Sequence, residues 1–306
     1  MFLIPNISVS LGSVIETNNK LEKFLDWDPG KIALKTGITQ RYISSEFETT
    51  ESLAIDAVKK INANKLADIS LIISVTNTPS LSFPTLAHFI HSEIDTHDDT
   101  HCIGINAGCN GFVDALVIAN NFLQSDDCKK ALIITSDTYS KYIDPHDASI
   151  RTLFSDGASA VIIEKDKAGF MIEKKITNTK KNTEGHLCMK HNKNIIDPIN
   201  MDGPQVLSFA IGTVLPGIKK LISSSTSYSM LPHQAGKLVL DTFKNKVPKN
   251  VKVYENYQHY GNLVSTSIPN LLHENQSLLK GNDQLILAGF GVGLSHSSVV
   301  LKKYSI

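Results

Sequence analysis

Residues 103–123 read IGINAGCNGFVDALVIANNFL, and this stretch decides both the fold and the chemistry of the chain. It begins with an apolar run of strand length, passes through a turn of small residues at 106–108, and ends in a segment with apolar residues at helical spacing. We therefore predict that Cys109 lies at a strand-to-helix junction, on the first turn of a largely buried helix. Unpaired N–H groups and the helix dipole stabilise a thiolate there, so a nucleophile and a buried structural cysteine are both open interpretations.

The composition of the 306-residue chain is that of a globular protein, with 42% apolar and 20% charged residues. Thirty basic and thirty acidic residues cancel, so nothing indicates a broad nucleic-acid surface. The first residues lack the basic start of a signal peptide, and no stretch has the roughly 18 apolar residues that a membrane helix needs. The four cysteines show no metal-ligand spacing, and we expect no metal and a reducing, cytoplasmic location.

Strand-like and helix-like runs alternate along the chain, which predicts a layered α/β protein. A weak internal repeat supports this prediction, because strand, small turn, helix, charged break and strand occur from residue 102 and again from residue 251. Cys109 precedes Ala131 by 22 residues, and Asn262 precedes Leu285 by 23. We predict two halves, residues 1–168 and 169–306, packed about a pseudo-twofold axis that places Cys109 and Asn262 at equivalent positions facing one centre.

Other patterns predict further elements. Residues 50–64 resemble a helix with Thr50 as its N-cap, and residues 205–223 resemble another. The Lys-, Asn- and Thr-rich region 174–195 reads as a solvated connector. The main strands that we predict lie at residues 71–75, 131–135, 161–164, 228–232, 251–254, 285–288 and 297–302.

Two polar residues are candidate partners for Cys109. His233 follows the strand-like run 228–232, and α/β sheets place site residues at such strand ends. It is alternatively a core or capping histidine. Asn262 follows Gly261 in a loop before a helix and is either an N-cap or a site residue. Each indication is weak alone, but on a duplicated scaffold the three residues point to one pocket.

Six motifs in chain order resemble those of the β-ketoacyl-[acyl carrier protein] synthase III family of the thiolase superfamily, and the resemblance covers nearly the whole chain. They are the T-G-I-x-x-R segment at 36–41, the active-site cysteine motif at 106–112, a turn similar to F-G-D-G-A at 154–158, P-H-Q-A at 232–235, G-N at 261–262, and a closing glycine-rich loop at 289–293. The resemblance implies a thiolase-like fold, with duplicated α/β halves in an αβαβα arrangement. It also identifies Cys109 as the nucleophile.

The resemblance implies an acyltransferase that forms an acyl-cysteine and then condenses the acyl group with a malonyl thioester, which loses CO2. Its substrates would be acyl groups carried by coenzyme A or phosphopantetheine, with no permanently bound cofactor. His233 and Asn262 would donate hydrogen bonds to the enolate, and the backbone N–H groups of Cys109 and Val292 would bind the oxyanion. The implied substrate tunnel contains Phe83, Phe154, Gly203, Phe290 and Gly291.

Two kinds of protein partner are implied. The apolar loop at 82–84 suggests a homodimer, because in relatives the residue matching Phe83 crosses the interface into the neighbouring pocket. The other partner is an acyl carrier protein, which is acidic and needs a basic rim around the tunnel mouth. The candidate rim residues are Lys31, Lys35, Arg151, Lys237 and Lys244.

Departures from the family pattern leave the acyl donor open. Lys31 stands where relatives that use acetyl-coenzyme A carry a Trp that stacks on adenine. Val292 replaces a third consecutive glycine, and Ser155 replaces the first glycine of the F-G-D-G-A turn. A specialised ketosynthase of secondary metabolism or surface-polymer acylation therefore stands beside the initiator of fatty-acid synthesis.

Other activities on the same scaffold are less well supported. A C–O or C–N acyltransferase would use the acyl-cysteine without decarboxylation, but the retained Asn262 favours condensation. A hydroxymethylglutaryl-coenzyme A synthase would need an acid in the loop 76–80, which has none. A non-catalytic partner subunit would normally lose Cys109, and nothing else supports a cysteine hydrolase.

Overall fold

The computed structural model describes residues 1–192, 195–281 and 284–304. In these ranges the strands are β1 Phe2–Leu11, β2 Val14–Thr17, β3 Gln40–Ile43, β4 Leu71–Val75, β5 His101–Ile105, β6 Lys130–Asp137, β7 Gly157–Lys165, β8 Gly169–Thr179, β9 Leu187–Cys188, β10 His191–Asn192, β11 Ile195–Ile196, β12 Asn200–Met201, β13 Tyr228–Pro232, β14 Val251–Val253, β15 Gln284–Gly291 and β16 Ser295–Tyr304.

The α-helices are α1 Asn18–Phe24, α2 Lys31–Thr36, α3 Thr50–Lys59, α4 Ala63–Leu66, α5 Leu86–Glu93, α6 Gly111–Phe122, α7 Ala148–Arg151, α8 Gly203–Phe209, α9 Leu215–Leu221, α10 Lys237–Lys246, α11 Tyr257–Tyr260 and α12 Ser267–Glu274. Short 3₁₀ turns lie at Tyr139–Tyr142, Val264–Thr266, Gln276–Leu279 and Val292–Leu294, and a π-helical turn at Ala210–Val214 joins α8 to α9. No helix within the described ranges has the length and apolar content to cross a membrane.

The ten-stranded sheet has the order β14-β13-β15-β16-β8-β1-β7-β6-β4-β5. In the first half, β5, β4 and β6 are parallel, and β7 and β1 follow antiparallel. The second half repeats this plan with β14, β13 and β15 parallel, and β16 and β8 antiparallel. The halves join at one antiparallel pair, Phe2 with Phe170. The predicted repeat is therefore present in the strand order, and the domain boundary that we propose after residue 168 precedes β8.

Helices α6 and α12 form the middle layer of the fold. Helix α6 contacts β4 and β6 of the first half and β15 and β16 of the second, whereas α12 contacts β1, β7, β13 and β15. On the outer faces, α3 and α5 cover the first half, while α9 and α10 cover the second. The strands of the first half form one β layer and those of the second half form the other, with α6 and α12 between them. The layers are thus αβαβα, as predicted for a thiolase-like fold.

Helix α6 carries apolar side chains on most of its faces, which is typical of a helix buried between two layers. Phe112, Val113 and Leu116 are fully buried. The helix begins two residues after Cys109, with Asn110 as its N-cap residue, and Cys109 lies in the turn closed by the Gly111 N–H and the Gly108 carbonyl at 2.9 Å. The prediction that Cys109 lies on the first helical turn was therefore wrong by two residues.

The helix predicted at residues 50–64 is two helices with a different cap. The Thr49 hydroxyl accepts the Ser52 N–H at 3.1 Å, and the Ser52 hydroxyl accepts the Thr49 N–H, which forms a capping box. Thr50 was the wrong cap, because its hydroxyl donates to the Thr78 carbonyl at 2.5 Å. Helix α3 ends at Lys59, and the short α4 follows after a break.

The prediction of a solvated connector over residues 174–195 was wrong for residues 174–179, which complete β8. This strand pairs with β16 along its length, for example Thr177 with Ser297. Its exposed side chains are polar from Glu173 onward, so the backbone ladder rather than an apolar pattern defines this part of the strand. Residues 193 and 194 of the predicted connector lie outside the described residues.

Candidate active site

One cavity of about 630 Å³, called here the outer cavity, is lined by Cys109, His233 and Asn262 together. The three residues are 4%, 2% and 5% exposed. They come from the turn before α6, the end of β13 and the loop after α11, so both halves contribute. Four residues predicted for the tunnel also line this cavity, namely Phe154, Gly203, Phe290 and Gly291.

The glycine-rich loop after β15 packs directly against the cysteine turn. A methyl group on Gly291 would lie 3.1 Å from the Cys109 Sγ, and one on Gly289 would lie 2.6 Å from the Asn110 Cα. The second distance is shorter than real carbon contacts, so only glycine fits at position 289. The loop thus closes over Cys109 and leaves the sulfur open toward the cavity.

The predicted stabilisation of the Cys109 thiolate is outweighed by burial. Burial raises the pKa of the Cys109 thiol well above its ordinary value, and the nearby Asp137 carboxylate raises it further, while the cysteine's own backbone N–H lowers it. The helix N-terminus contributes at most about 2 kcal/mol, which is less than the desolvation of a fully enclosed anion. Burial therefore favours the neutral thiol of Cys109 over its thiolate.

His233 is positioned by its neighbour Gln234. The Gln234 Oε1 accepts the backbone N–H groups of Asn256 at 2.9 Å and Tyr257 at 3.2 Å, and its Nε2 donates to the Pro232 carbonyl at 2.8 Å. The His233 N–H donates to the Ala288 carbonyl at 2.8 Å. Gln234 thereby fixes the turn after β13, a function that the P-H-Q-A motif alone did not indicate.

The His233 imidazole is a neutral ring in an enclosed site. It meets Phe290 edge-on, with ring centroids 5.4 Å apart. Burial lowers the pKa of His233 to about 3. Its Nδ1 is buried and has no hydrogen-bond partner among the described residues. Burial therefore favours the neutral ring of His233.

This burial predicts that acid destabilises the fold through His233. The folded pKa of about 3 lies below the unfolded value of 6.5, so the unfolded chain binds the extra proton between these values. Unfolding free energy should fall as the pH drops through this window, by up to about 1.4 kcal/mol per pH unit. Urea unfolding of the wild type and His233→Gln between pH 7 and 5 measures this contribution, and parallel pH dependences in the two proteins would contradict it.

Asn262 is held by three hydrogen bonds to its own surroundings. Its N–H donates to the Leu153 carbonyl and its carbonyl accepts the Ser155 N–H, both at 2.9 Å. The Oδ1 accepts the Val264 N–H at 2.9 Å. Because the side-chain oxygen is engaged there, the amide NH2 is the group left to face the cavity. Asn262 thus presents donors and no acceptor.

Asp137 is a buried residue that the sequence analysis missed. Its carboxylate accepts the Asn77 N–H at 2.8 Å, the Thr76 hydroxyl at 3.3 Å, and both the N–H and the hydroxyl of Ser265. It therefore ties the loop after β4 to the turn that follows Asn262. Burial raises the pKa of Asp137 to about 6, although these hydrogen bonds lower it. The sequence feature that could have identified Asp137 is its position, because it places a carboxylate at the end of the apolar strand β6.

Two residues predicted for the site lie elsewhere than on the outer cavity. Phe83 is 84% exposed at a loop tip. Val292 lines a second, neighbouring cavity together with Gly293. The backbone N–H of Val292, which is predicted to bind the oxyanion, follows Gly291 in the chain, and Gly291 lines the outer cavity.

The five predicted rim residues differ in their surroundings. Lys35 and Lys237 line the outer cavity, and Lys237 also pairs with Asp241 at 2.6 Å. The Lys31 ammonium lies 4.4 Å from the Trp27 ring centroid. Lys244 is paired with Glu255.

Arg151 differs most from a free rim cation. It pairs with Glu16 at 2.5 Å, and Glu16 also binds the fully buried Arg41 at 3.3 Å. The Arg41 guanidinium donates further to the Thr152 carbonyl and to Asn18. Arg151 therefore belongs to the network that anchors the T-G-I-x-x-R segment.

Comparisons with known proteins give one family. Residues 103–181 match the family model 3-oxoacyl-[acyl-carrier-protein (ACP)] synthase III, and residues 223–303 match the C-terminal model of the same enzyme. The β-ketoacyl-[acyl-carrier-protein] synthase III of Natranaerobius thermophilus is 31% identical, with 96% of each chain covered. That of Clostridium novyi is 30% identical, with 94% of each chain covered.

Solved structures give the same result. The 3-oxoacyl-[acyl-carrier-protein] synthase III from Aquifex aeolicus VF5 superposes with a TM-score of 0.85 at 29% identity, covering 99% of this chain and 100% of that one. The enzyme from Pseudomonas aeruginosa PAO1, at 23% identity, shares the fold with a TM-score of 0.88, covering 100% of this chain and 99% of that one. By sequence and by fold, the chain belongs to the 3-oxoacyl-[acyl-carrier-protein] synthase III family of acyltransferases.

Proposed function

We propose that this protein transfers an acyl group from a thioester to Cys109 and condenses it with a malonyl thioester in a decarboxylative Claisen reaction. The observation that carries the proposal is the joint enclosure of Cys109, His233 and Asn262 in one cavity. The names of the relatives, which are β-ketoacyl-[acyl-carrier-protein] synthases III, support the same chemistry. Formation of a 3-oxoacyl product from acyl and malonyl thioesters, detected by mass spectrometry, tests it directly.

In the acylation step, the Cys109 Sγ attacks the thioester carbonyl carbon while its proton passes to the His233 ring. The bond from that carbon to the leaving sulfur breaks, and the leaving thiolate takes the proton from His233. The low pKa of His233 favours this return of the proton. The backbone N–H groups of Cys109 and Val292 are the proposed donors to the tetrahedral oxyanion.

In the condensation step, the malonyl carboxylate leaves as CO2, and its bonding electrons form the enolate of an acetyl thioester. The Asn262 amide NH2 is a donor for the enolate oxygen, because its Oδ1 is engaged by Val264. The neutral His233 ring changes tautomer between the two steps: Nε2 is free to take the thiol proton during acylation, and it carries the ring proton as the second donor to the enolate during condensation. The enolate carbon then attacks the acyl carbonyl and releases the Cys109 sulfur as a thiolate, which takes up one proton from solvent to restore the thiol.

A C–O or C–N acyltransferase is the other activity open to this scaffold. Such an enzyme needs a base that activates an incoming hydroxyl or amine, and it has no use for a pair of neutral donors at the second substrate. The orientation of the Asn262 amide therefore favours condensation. An enzyme that initiates fatty-acid synthesis and a ketosynthase of a specialised pathway use the same two steps. The two roles are therefore distinguished by the acyl primer that is transferred to Cys109.

We propose a homodimer with the edge strand β5 at its interface. The strand ends the sheet, and its sequence HCIGI carries no Lys, Asp or Glu to block pairing with another strand. The exposed Phe83 and the 45% exposed Leu81 precede α5, which contacts β5, so both lie near this edge. Light scattering at micromolar concentration distinguishes this dimer from a monomer.

We propose that malonate arrives on an acyl carrier protein that docks at the mouth of the outer cavity. Lys35 and Lys237 lie on the cavity wall, and the exposed side chains of Leu34 and Leu238 are adjacent to them in the sequence. Helices α2 and α10, which carry these residues, are in contact. An acidic partner with apolar side chains is complementary to such a surface.

The four cysteines are free thiols, which supports action in a reducing compartment such as the cytoplasm.

Lys35→Glu should weaken the use of carrier-bound malonate. The change places a negative charge at the mouth, so we expect the KM for the carrier-bound substrate to rise by about three- to tenfold. The KM for a malonyl N-acetylcysteamine thioester should remain within about twofold. Lys303→Glu, at an exposed site on β16, is the matched control. Equal losses with both substrates would show that Lys35 acts on the reaction rather than on docking.

A further inference from the structure

A second cavity of about 340 Å³, the inner cavity, has walls of two different kinds. Its apolar wall contains Leu187, Ile199 and Val292, and its polar wall contains Asn77, Asn106 and Tyr139. An alkyl chain would be in contact with polar groups along one side of such a space. The chemistry of that side therefore decides which chain fits best.

The inner cavity adjoins the Cys109 turn. A methyl group on Gly108 would lie 2.4 Å from the Asn77 Oδ1 and 3.1 Å from the Val292 Cγ2, so the residue before Cys109 separates the two walls. Leu187 lines both cavities. Burial raises the pKa of Tyr139, and negative charge on Asp137 and on Cys109 raises it further, because both groups are near the Tyr139 ring. An acyl chain on the sulfur can therefore extend into either space.

The polar wall is rigid, and its hydrogen-bonding capacity is defined. The buried Tyr139 hydroxyl donates to the Asn77 Oδ1 at 3.0 Å, and the Asn77 Nδ2 donates to the Asn106 Oδ1. The Asn77 backbone N–H is held by Asp137 at 2.8 Å. Because the Tyr139 proton is committed to Asn77, its oxygen can only accept another bond. The Asn106 amide NH2 and the second Nδ2–H of Asn77 remain as donors.

A hydroxyl group on the acyl chain can act toward this wall both as a hydrogen-bond donor and as an acceptor. It can donate to the Tyr139 oxygen and accept from the Asn77 or Asn106 amide. A methyl group at the same position would displace water from these groups without replacing its hydrogen bonds, at roughly 1–3 kcal/mol for each one. The apolar wall accommodates the remaining carbons of the chain.

We propose that the inner cavity receives the acyl chain of the primer and selects a hydroxylated acyl group over an alkyl group of the same size. This inference rests on the proposed function, since it requires acylation of Cys109. It extends that function by naming the class of primer and the residues that select it, Asn77 and Tyr139.

Two isosteric pairs of N-acetylcysteamine thioesters test the inference. In 3-hydroxybutyryl and 3-methylbutyryl, and in 4-hydroxybutyryl and pentanoyl, a hydroxyl replaces a methyl group at one carbon. For the wild type, kcat/KM for acylation of Cys109 should favour the hydroxylated member of at least one pair by about tenfold or more. Intact-protein mass spectrometry over time measures both rates in one mixture.

Tyr139→Phe removes one hydroxyl from the wall, and Asn77→Leu removes the amide. Both variants should bring the ratio within about threefold of one or reverse it, with the larger change in kcat/KM for the hydroxylated substrate. Tyr142→Phe removes a hydroxyl from the same 3₁₀ turn at a residue that lies on neither cavity, and it should keep the wild-type ratio.

The wild-type ratios decide the inference even where a variant fails to fold. Acylation of Cys109 with ratios near one, or in favour of the alkyl member in both pairs, would overturn the proposed selectivity and leave the proposed function standing. No acylation by any thioester, acetyl included, would overturn both. Retention of the hydroxyl preference in folded Tyr139→Phe and Asn77→Leu would show that this wall does not select the primer.

Discussion

Replacement of Cys109 by alanine is expected to abolish acyl transfer. The proposed reaction proceeds through a covalent bond to the Cys109 Sγ, and no other described side chain on the outer cavity is a thiol. Loss of the nucleophile should lower kcat for condensation on the order of a millionfold, to the background of bound but unactivated substrates. Because the side chain is buried and small, the variant should still fold.

Mass spectrometry of the protein after incubation with an acyl thioester measures the effect. The wild type should gain one acyl group on the peptide that contains Cys109, and Cys109→Ala should gain none. Cys102→Ala, Cys128→Ala and Cys188→Ala are matched controls that should retain the adduct and the activity. An adduct on one of these cysteines, with activity remaining in Cys109→Ala, would refute the assignment of the nucleophile.

The convergence of Cys109, His233 and Asn262 on one cavity was predictable, because each residue belongs to a local pattern that can be recognised in the sequence alone. The turn at 106–108 before a buried helix marked Cys109, and the strand end at 228–232 marked His233. The repeat interval related Asn262 to Cys109 across the two halves. Short sequence patterns at the ends of strands and helices indicate such residues, because the backbone conformation at these positions is compatible with few residue types.

The rise in the pKa of Cys109 on burial was not predictable from the same pattern. The helix N-terminus suggested a thiolate, but the pKa depends on how completely the glycine loop and Phe290 enclose the sulfur, and that is a tertiary property. Burial is invisible in the local sequence. The chemistry therefore shifts from a preformed thiolate to a neutral thiol that depends on His233.

The structural residues behind the site were also hidden. Asp137 and Gln234 act through bonds to backbone N–H groups that are distant in sequence, such as Ser265 and Asn256. Strand β8 was misread because its outward side chains are polar, and its partner β16 lies more than a hundred residues later. Long-range pairing decides such elements, and a local hydrophobic period does not detect it.

The roles of His233 and Asn262 can be separated by the step that each variant loses. Asn262→Ala should still acylate Cys109, because in the proposed acylation the thiol transfers its proton to His233 and the oxyanion has backbone donors. It should lose condensation with malonyl thioester by roughly a hundredfold or more, since the enolate then lacks the Asn262 amide donor. Release of CO2 from malonyl thioester, followed beside the acyl-enzyme mass, measures the two steps independently.

Asn262→Asp is the control that separates the donor from the loop. Aspartate keeps the oxygen that accepts the Val264 N–H at 2.9 Å, so the turn between α11 and α12 should be preserved. It replaces the amide NH2 by a second oxygen, which repels both the malonyl carboxylate and the enolate. Asn262→Asp should therefore decarboxylate at least as slowly as Asn262→Ala. If Asn262→Ala loses acylation before decarboxylation, Asn262 supports the nucleophile, and the enolate must be stabilised by other groups.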